Sequence, residues 1–341
     1  GGARSVVRRE AALVLCRTPY RVSLFGGGTD YPVWSKEHGG SVLSTTIDKY
    51  CWLTVRRFPP YQPYAYRVIY SKVEHVDSVA NIQHPAVRAC LEFLPVDGGL
   101  AIGHDGDLPA RCGMGSSSAF TVGLLHALHA LRGEVISKAQ LSCEAIHVEQ
   151  TVLKENVGAQ DQVAVAHGGF NRIEFLRDGG IHTQPIPVGR DILAELESRL
   201  YLYYLGPRPV GSTASTIAAT YDFDTKRPHL RAMAAMVNEA LDALARGDLD
   251  AIGSLLHDSW QMKRELGGVS SPEIDAAYAV ARAAGATGGK CLGAGSGGFL
   301  LFYAPGNPDA LHEAILSNRP DRRRVPFKFE REGSSLVYYA P

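Results

Sequence analysis

Residues Leu108 to Phe120 read LPARCGMGSSSAF, with glycines and serines crowded where a loop gives way to an apolar, helix-like pattern. The first N–H groups of a helix lack intrahelical acceptors, and the positive end of the helix dipole lies beside them, so such a junction attracts an anion. Gly113 and Gly115, on either side of Met114, let the main chain approach a ligand closely. The hydroxyls of Ser116, Ser117 and Ser118 can donate to phosphate oxygens or ligate Mg²⁺. Phosphate binding fits these residues, and so does a plain serine N-cap on a core helix.

Two further segments carry the same kind of signal. Arg21 to Pro32 reads RVSLFGGGTDYP, a strand that runs into Gly26, Gly27 and Gly28 and then Thr29 and Asp30. The glycines permit close ligand approach and the aspartate can accept two sugar hydroxyls at once, although a glycine-rich hairpin with a turn aspartate has the same composition. Gly288 to Phe302 reads GGKCLGAGSGGFLLF, with Lys290, Gly295 and Ser296 among glycines ahead of an apolar strand. Gly293 to Gly298 matches GxGxxG but opens a strand instead of a helix, which excludes the dinucleotide fingerprint. A Walker A loop is excluded too, because its leading glycine falls on Ala284 and Lys290 is followed by Cys291.

The elements that must hold these segments follow from local pattern. Ala11–Cys16, Arg21–Phe25, Ser41–Ile47 and Tyr50–Arg57 are rich in β-branched and aromatic residues and read as strands. Apolar spacing predicts a buried helix from Ser116 to a stop at Gly133, and a second helix over Lys138 to Glu155. Strand character returns at 168–175, 199–206, 290–303 and 335–339, with helices near 229–246 and 272–284. The order lacks a βαβα rhythm, which favours α+β over a doubly wound sheet. Glycine and proline between Arg177 and Arg190 place a domain boundary there, giving residues 1–185 and 186–341.

With 341 residues, 45% of them hydrophobic, the chain can fill two domain cores. Thirty-five basic and thirty-five acidic residues cancel, so no global field draws it to nucleic acid or an anionic membrane, and a small-molecule partner is expected. The basic run RPDRRRVPFKFER, Arg319 to Arg331, reads as a solvated loop. His126 and His129 lie three apart on a helix without a third ligand and read as ordinary histidines. Six scattered cysteines without a CxxC pair suit a reducing compartment, and the early apolar run of six residues is too short for a signal peptide, so a cytoplasmic protein is expected. Gly1 and Gly2 are given no role.

The three glycine-rich segments, in this order and at these spacings, resemble the GHMP superfamily of small-molecule kinases over Arg17 to about Tyr303. The resemblance implies an α+β, two-domain fold, the first domain like domain 2 of ribosomal protein S5 and the second ferredoxin-like, with the site between them. It implies that Gly113 to Ser118 wraps the triphosphate of ATP. Ser117, or Ser116 one position away, and Glu149 would ligate Mg²⁺, Asp161 would act as general base, and Arg21 would neighbour that aspartate and the transferring phosphate. Gly28, Thr29 and Asp30 would contact the sugar. RVSLFGGGTDYP is most similar to the branch that phosphorylates D-glycero-D-manno-heptose 7-phosphate at C1, supplying nucleotide-activated heptose for capsule or lipopolysaccharide. Other sugars, or a non-catalytic sugar sensor, remain open at this point. A 7-phosphate needs a cation, for which Arg208 and Lys290 are the candidates, and Gly295 and Ser296 join the substrate side. Assembly into a homodimer is left open.

Overall fold

The computed structural model describes residues 13–59, 61–110, 112–209, 211–317 and 319–340. Gly1, Gly2 and the start of the Ala11–Cys16 strand lie outside the described residues. Among the described residues, nine strands form one sheet and four a second. The larger contains β1 (Leu13–Phe25), β2 (Gly40–Arg57), β3 (Tyr66–Ile69), β4 (Val73–Val76), β5 (Leu100–Gly106), β6 (Asn171–Phe175) and β7 (Ile181–Pro185). The smaller has the antiparallel order β11-β8-β10-β9, from β8 (Leu200–Tyr204), β9 (Gly288–Cys291), β10 (Phe299–Tyr303) and β11 (Arg323–Val325). The chain then returns: β12 (Phe329–Glu330) pairs with β2 and β13 (Ser335–Ala340) with β1. A boundary drawn at 185/186 therefore leaves two strands of the larger sheet on its far side.

The strands expected at Ala11–Cys16 and Arg21–Phe25 are one, as are Ser41–Ile47 and Tyr50–Arg57. The β1/β2 register shifts between Pro19 and Arg21, where Tyr20 alone of β1 faces Ile47, Asp48 and Lys49 of β2, so the extra residues bulge from β2 immediately before Arg21.

Helices α1 (Pro32–His38), α2 (Pro85–Phe93), α3 (Ser116–Leu131), α4 (Lys138–His147) and α5 (Gln160–His167) accompany the first sheet. Leu124 and Leu128 of α3 join Val14, Val22, Leu53 and Val55 in a fully buried core. The helix expected to run to Glu155 leaves the α form at Val148, where a π turn spans Val148–Val152, and Lys154 has a φ of 55°. The wider turn swings Glu149 into the protein, a placement frequent at functional sites.

The rest of the chain adds α6 (Arg190–Ser198), α7 (Ala214–Ala218), α8 (Arg227–Arg246), α9 (Leu249–Arg264), α10 (Pro272–Ala283) and α11 (Asp309–Leu316). Alternate residues of the small sheet face two ways: Leu202 and Leu301 join the main core, while Tyr203, Leu300 and Phe302 pack with Trp260 and Tyr278.

The two parts meet backbone to backbone. A Cβ on Gly293 would stand 2.5 Å from the Cα of Gly113, and one on Gly113 would stand 2.4 Å from the Leu292 carbonyl oxygen. Both residues hold positive φ, 84° at Gly113 and 67° at Gly293. Gly293→Ala is therefore expected to cost at least about 1 kcal/mol and to loosen the loop at Gly113. Denaturant unfolding together with nucleotide titration checks this; unchanged stability and affinity would mean that the two loops do not need this contact.

Candidate active site

Arg21 is 2% exposed and ties two other segments to β1. Its Nε and Nη2 donate to the two carboxylate oxygens of Asp161 at 2.7 Å each, and Nη1 donates to the Gly113 carbonyl at 2.7 Å. Its own N–H donates to the Met114 carbonyl at 3.0 Å. Asp161 sits in the first turn of α5 with its side chain 25% exposed, beside Gly115, whose Cβ position lies 3.5 Å from an Asp161 oxygen. Planar guanidinium and carboxylate thus form a two-bonded pair against the loop that opens α3.

That loop ends at Gly115, the N-cap of α3, with φ 73° and no acidic residue in the first helical turn. The three serines diverge by the helical twist. Ser117 is exposed, while Ser118 is buried and donates to a Glu149 oxygen at 3.0 Å. Ser118 is therefore held on Glu149 itself, because about 100° of rotation per residue turns that position inward and leaves Ser117 facing outward.

Glu149 is 2% exposed and also accepts from the Gln162 amide, but its Oε1 has no hydrogen-bond partner among the described residues. Burial pushes its carboxyl up to about 8, and Glu155 adds to the shift.

Asp30 is 1% exposed and stitches the first glycine turn to α5. It accepts from the Gly28 N–H at 3.0 Å, the Gln160 N–H at 3.1 Å and the Gln160 amide at 3.0 Å. Gly158 permits this approach, since a Cβ there would stand 1.8 Å from an Asp30 oxygen. Burial raises the Asp30 carboxyl, and the nearby Asp161 charge raises it further.

Residues 80–169 match the family model for the GHMP kinases N terminal domain, and residues 240–320 that for GHMP kinases C terminal, together half of the chain. The chain belongs to the GHMP kinase family. The kinase is 28% identical over 334 residues to D-glycero-alpha-D-manno-heptose 7-phosphate kinase of Campylobacter jejuni, covering 93% of this chain and 96% of that one. It is 27% identical over 317 residues to a galactokinase of Pyrococcus furiosus, covering 84% and 88%. Its fold matches a crystal structure described as a D-glycero-D-manno-heptose 1-phosphate kinase from Bacteroides thetaiotaomicron, with TM-score 0.77, 23% identity and coverage of 95% and 99%.

The kinase is a phosphotransferase with the two-domain GHMP fold, and members of the family take the phosphoryl group from ATP. The site suits that donor. The α3 start offers backbone donors and a helix dipole with no opposing carboxylate in its first turn. A divalent cation fits as well, because Glu149 carries an orphaned oxygen next to a serine hydroxyl, the hard oxygen donors that Mg²⁺ takes alongside phosphates.

Several expected ligand contacts are engaged elsewhere. The Thr29 hydroxyl is fully buried and spent on main chain, donating to the Gly26 carbonyl at 2.7 Å and accepting from the Ser41 N–H at 3.1 Å, so it shapes the turn and does not face a ligand. Lys290 is 3% exposed and is anchored on the Leu24 carbonyl of β1 at 3.0 Å. Ser296 donates to the Gly268 carbonyl, and Gly295 packs on Val269. Arg208 stays at the site, its Nε on the Gly295 carbonyl at 2.9 Å.

Sequence reasoning missed Gln160, Gln162 and Tyr221, whose hydroxyl donates to the Ala294 carbonyl at 3.2 Å, because no local pattern marks them. It also missed Lys263, although Gly247 and Asp248 mark the C-cap of α8 and the N-cap of α9, the helix that carries it. His129, expected as an ordinary histidine, lies 2.7 Å from both Glu134 and Glu144, and the basic run is not the expected solvated loop: it holds β11 and β12, and Arg319 and the buried Arg322 pair with Glu273.

Between the ordinary 4.5 and about 8, the folded kinase keeps the Glu149 proton while the unfolded chain releases it. Ligand-free stability should fall across that window as pH rises, by an amount on the order of a few kcal/mol, and level off above it. Glu149→Gln should remove that part of the slope. Denaturant unfolding at pH 5, 7 and 9 measures it, and parallel curves for the two proteins would clear Glu149 of the effect.

Proposed function

We propose that this sugar kinase of the GHMP family transfers the γ-phosphoryl group of ATP to the anomeric hydroxyl of D-glycero-D-manno-heptose 7-phosphate, giving the 1,7-bisphosphate. The observation that carries the reading is the Arg21–Asp161 pair held against Gly113 and Gly115. It sets a carboxylate and a guanidinium beside a helix start that suits phosphates. The heptose assignment rests on RVSLFGGGTDYP and on the likeness to the Campylobacter jejuni relative. The Pyrococcus furiosus relative favours galactose as the second reading.

Phosphoryl transfer gains mostly from positioning and charge neutralisation. Asp161, with each oxygen holding a lone pair beyond its bond to Arg21, accepts the proton of the attacking hydroxyl as the new O–P bond forms and ADP departs. Arg21 fixes that carboxylate in rotation and places positive charge where the transferring group becomes more anionic. Mg²⁺, held by Glu149 with Ser117 and Ser118, would neutralise phosphate charge. The product would feed nucleotide-activated heptose synthesis in the cytoplasm. Among the described residues no helix is long and apolar enough to cross a membrane.

Phosphorus NMR with Mg²⁺, ATP and a panel of heptose 7-phosphate, free heptose, mannose, galactose and fucose should give a new anomeric phosphate only with the heptose 7-phosphate. Asp161→Asn should cut kcat by about 10²–10⁴ with nucleotide affinity kept. Turnover of another sugar instead would overturn the acceptor, and full turnover by Asp161→Asn would overturn the base.

A further inference from the structure

Four cationic side chains surround the contact between Gly113 and the third glycine segment: Arg21, Arg208, Lys263 and Lys290. Arg21 is neutralised by Asp161, and Lys290 is closed off beneath β1 on the Leu24 carbonyl. The other two are anchored but not neutralised. Arg208 puts Nε on the Gly295 carbonyl at 2.9 Å, and Lys263, 7% exposed at the end of α9, puts Nζ on the Gly293 carbonyl. These carbonyls lie two residues apart on one loop. A Cβ on Gly113 would stand 3.2 Å from Arg208 Nη2, so Arg208 also borders the loop that opens α3, and Lys263 holds Gly293, the residue packed on Gly113.

A carbonyl satisfies a donor without cancelling a charge. Among the described residues neither Arg208 nor Lys263 has a carboxylate partner. Each keeps donors beyond its anchor: both terminal amino groups of Arg208 and two N–H bonds of the Lys263 ammonium. Asp30 is the carboxylate that favours the Lys263 charge, but its oxygens are already taken by Gly28 and Gln160. Uncompensated buried charge is costly, and a chain retains it most readily where an incoming anion supplies the missing partner.

We propose that Arg208 and Lys263 together seat the acceptor's own phosphate, the one that is not transferred; this rests on the sugar-phosphate reading above. Anchoring by carbonyls of one loop holds the two cations a fixed distance apart, as recognition of a tetrahedral dianion requires. Burial, with Arg21 and Arg208 nearby, pushes the Lys263 ammonium down to about 8, in keeping with a site that holds more positive charge than it offsets. The seat makes Arg208 and Lys263 specificity residues, and neither needs to touch the reacting atoms.

The test compares Lys263→Met and Arg208→Gln with the wild type, using kcat and KM for heptose 7-phosphate, for free heptose and for ATP. Each variant should raise KM for heptose 7-phosphate at least about tenfold, the scale of a lost charge-assisted hydrogen bond, with kcat much less affected. The constants for free heptose should move far less, so that the preference for the phosphorylated acceptor collapses. Lys263→Arg should recover most of it, and inorganic phosphate should compete with heptose 7-phosphate in the wild type but not in the variants. Equal losses with both acceptors would reduce the pair to loop scaffolding, and a shift in KM for ATP would give it to the nucleotide; either result overturns the seat alone. A wild type without preference for a phosphorylated acceptor overturns the acceptor reading and the seat together. Should Lys263→Met fail to fold, Arg208→Gln, on a half-exposed loop, carries the comparison by itself.

Discussion

Everything at the site is referred to one buried guanidinium. Arg21 fixes α5 through Asp161 and the loop that opens α3 through the Gly113 carbonyl and, by its own N–H, the Met114 carbonyl. Only a planar group with several donors in fixed directions can make a two-bonded carboxylate pair and still reach a carbonyl; a lysine would offer one point charge on a flexible stem. The register break immediately before Arg21, where Ile47, Asp48 and Lys49 of β2 face Tyr20 alone, lies in the same stretch of sheet. Placing Asp161 and the loop on one side chain means that neither can shift without the other.

The second constraint is the absence of side chains where the two parts touch. Gly113 and Gly293 meet closer than any Cβ allows, so the loop that opens α3 is clamped between Arg21 on one side and the 288–298 segment on the other. Such contact leaves the backbone groups facing a ligand defined by main-chain geometry, which a substrate can exploit without ordering long side chains. Asp30 repeats the solution on a smaller scale, lodged against Gly158 and bound to Gln160 at the start of the helix that carries Asp161.

These constraints explain what was legible in the sequence. Glycine runs beside strand and helix patterns announce themselves locally, which is why the three segments stood out, whereas Asp161 was marked only by the family resemblance. What was not legible depended on direction. The Lys138–Glu155 pattern does not reveal the π turn that points Glu149 inward, nor does SSS reveal that Ser118 is the serine facing it. Thr29 and Lys290 sit in ligand-like surroundings by sequence, yet main-chain carbonyls claim both, because buried donors must find acceptors wherever the fold supplies them. The return of β12 and β13 to the first sheet is a long-range pairing with no local cue.

The buried charges of the site share one pattern. Burial moves the carboxyls of Asp30 and Glu149 up and the ammonium groups of Lys263 and Lys290 down, so each group is held against its charged form. A core built for stability alone would replace them with apolar residues of similar volume. Retained around a loop suited to phosphates, they make the ligand-free protein the costlier state and let ligands repay that cost on binding. Ligands that bind only the folded chain then stabilise it in proportion to their concentration, and a pair of oppositely charged ligands does so most when both are present. The same imbalance that weakens the empty kinase would favour a complex with charged ligands, which is how buried charge at a site can serve specificity.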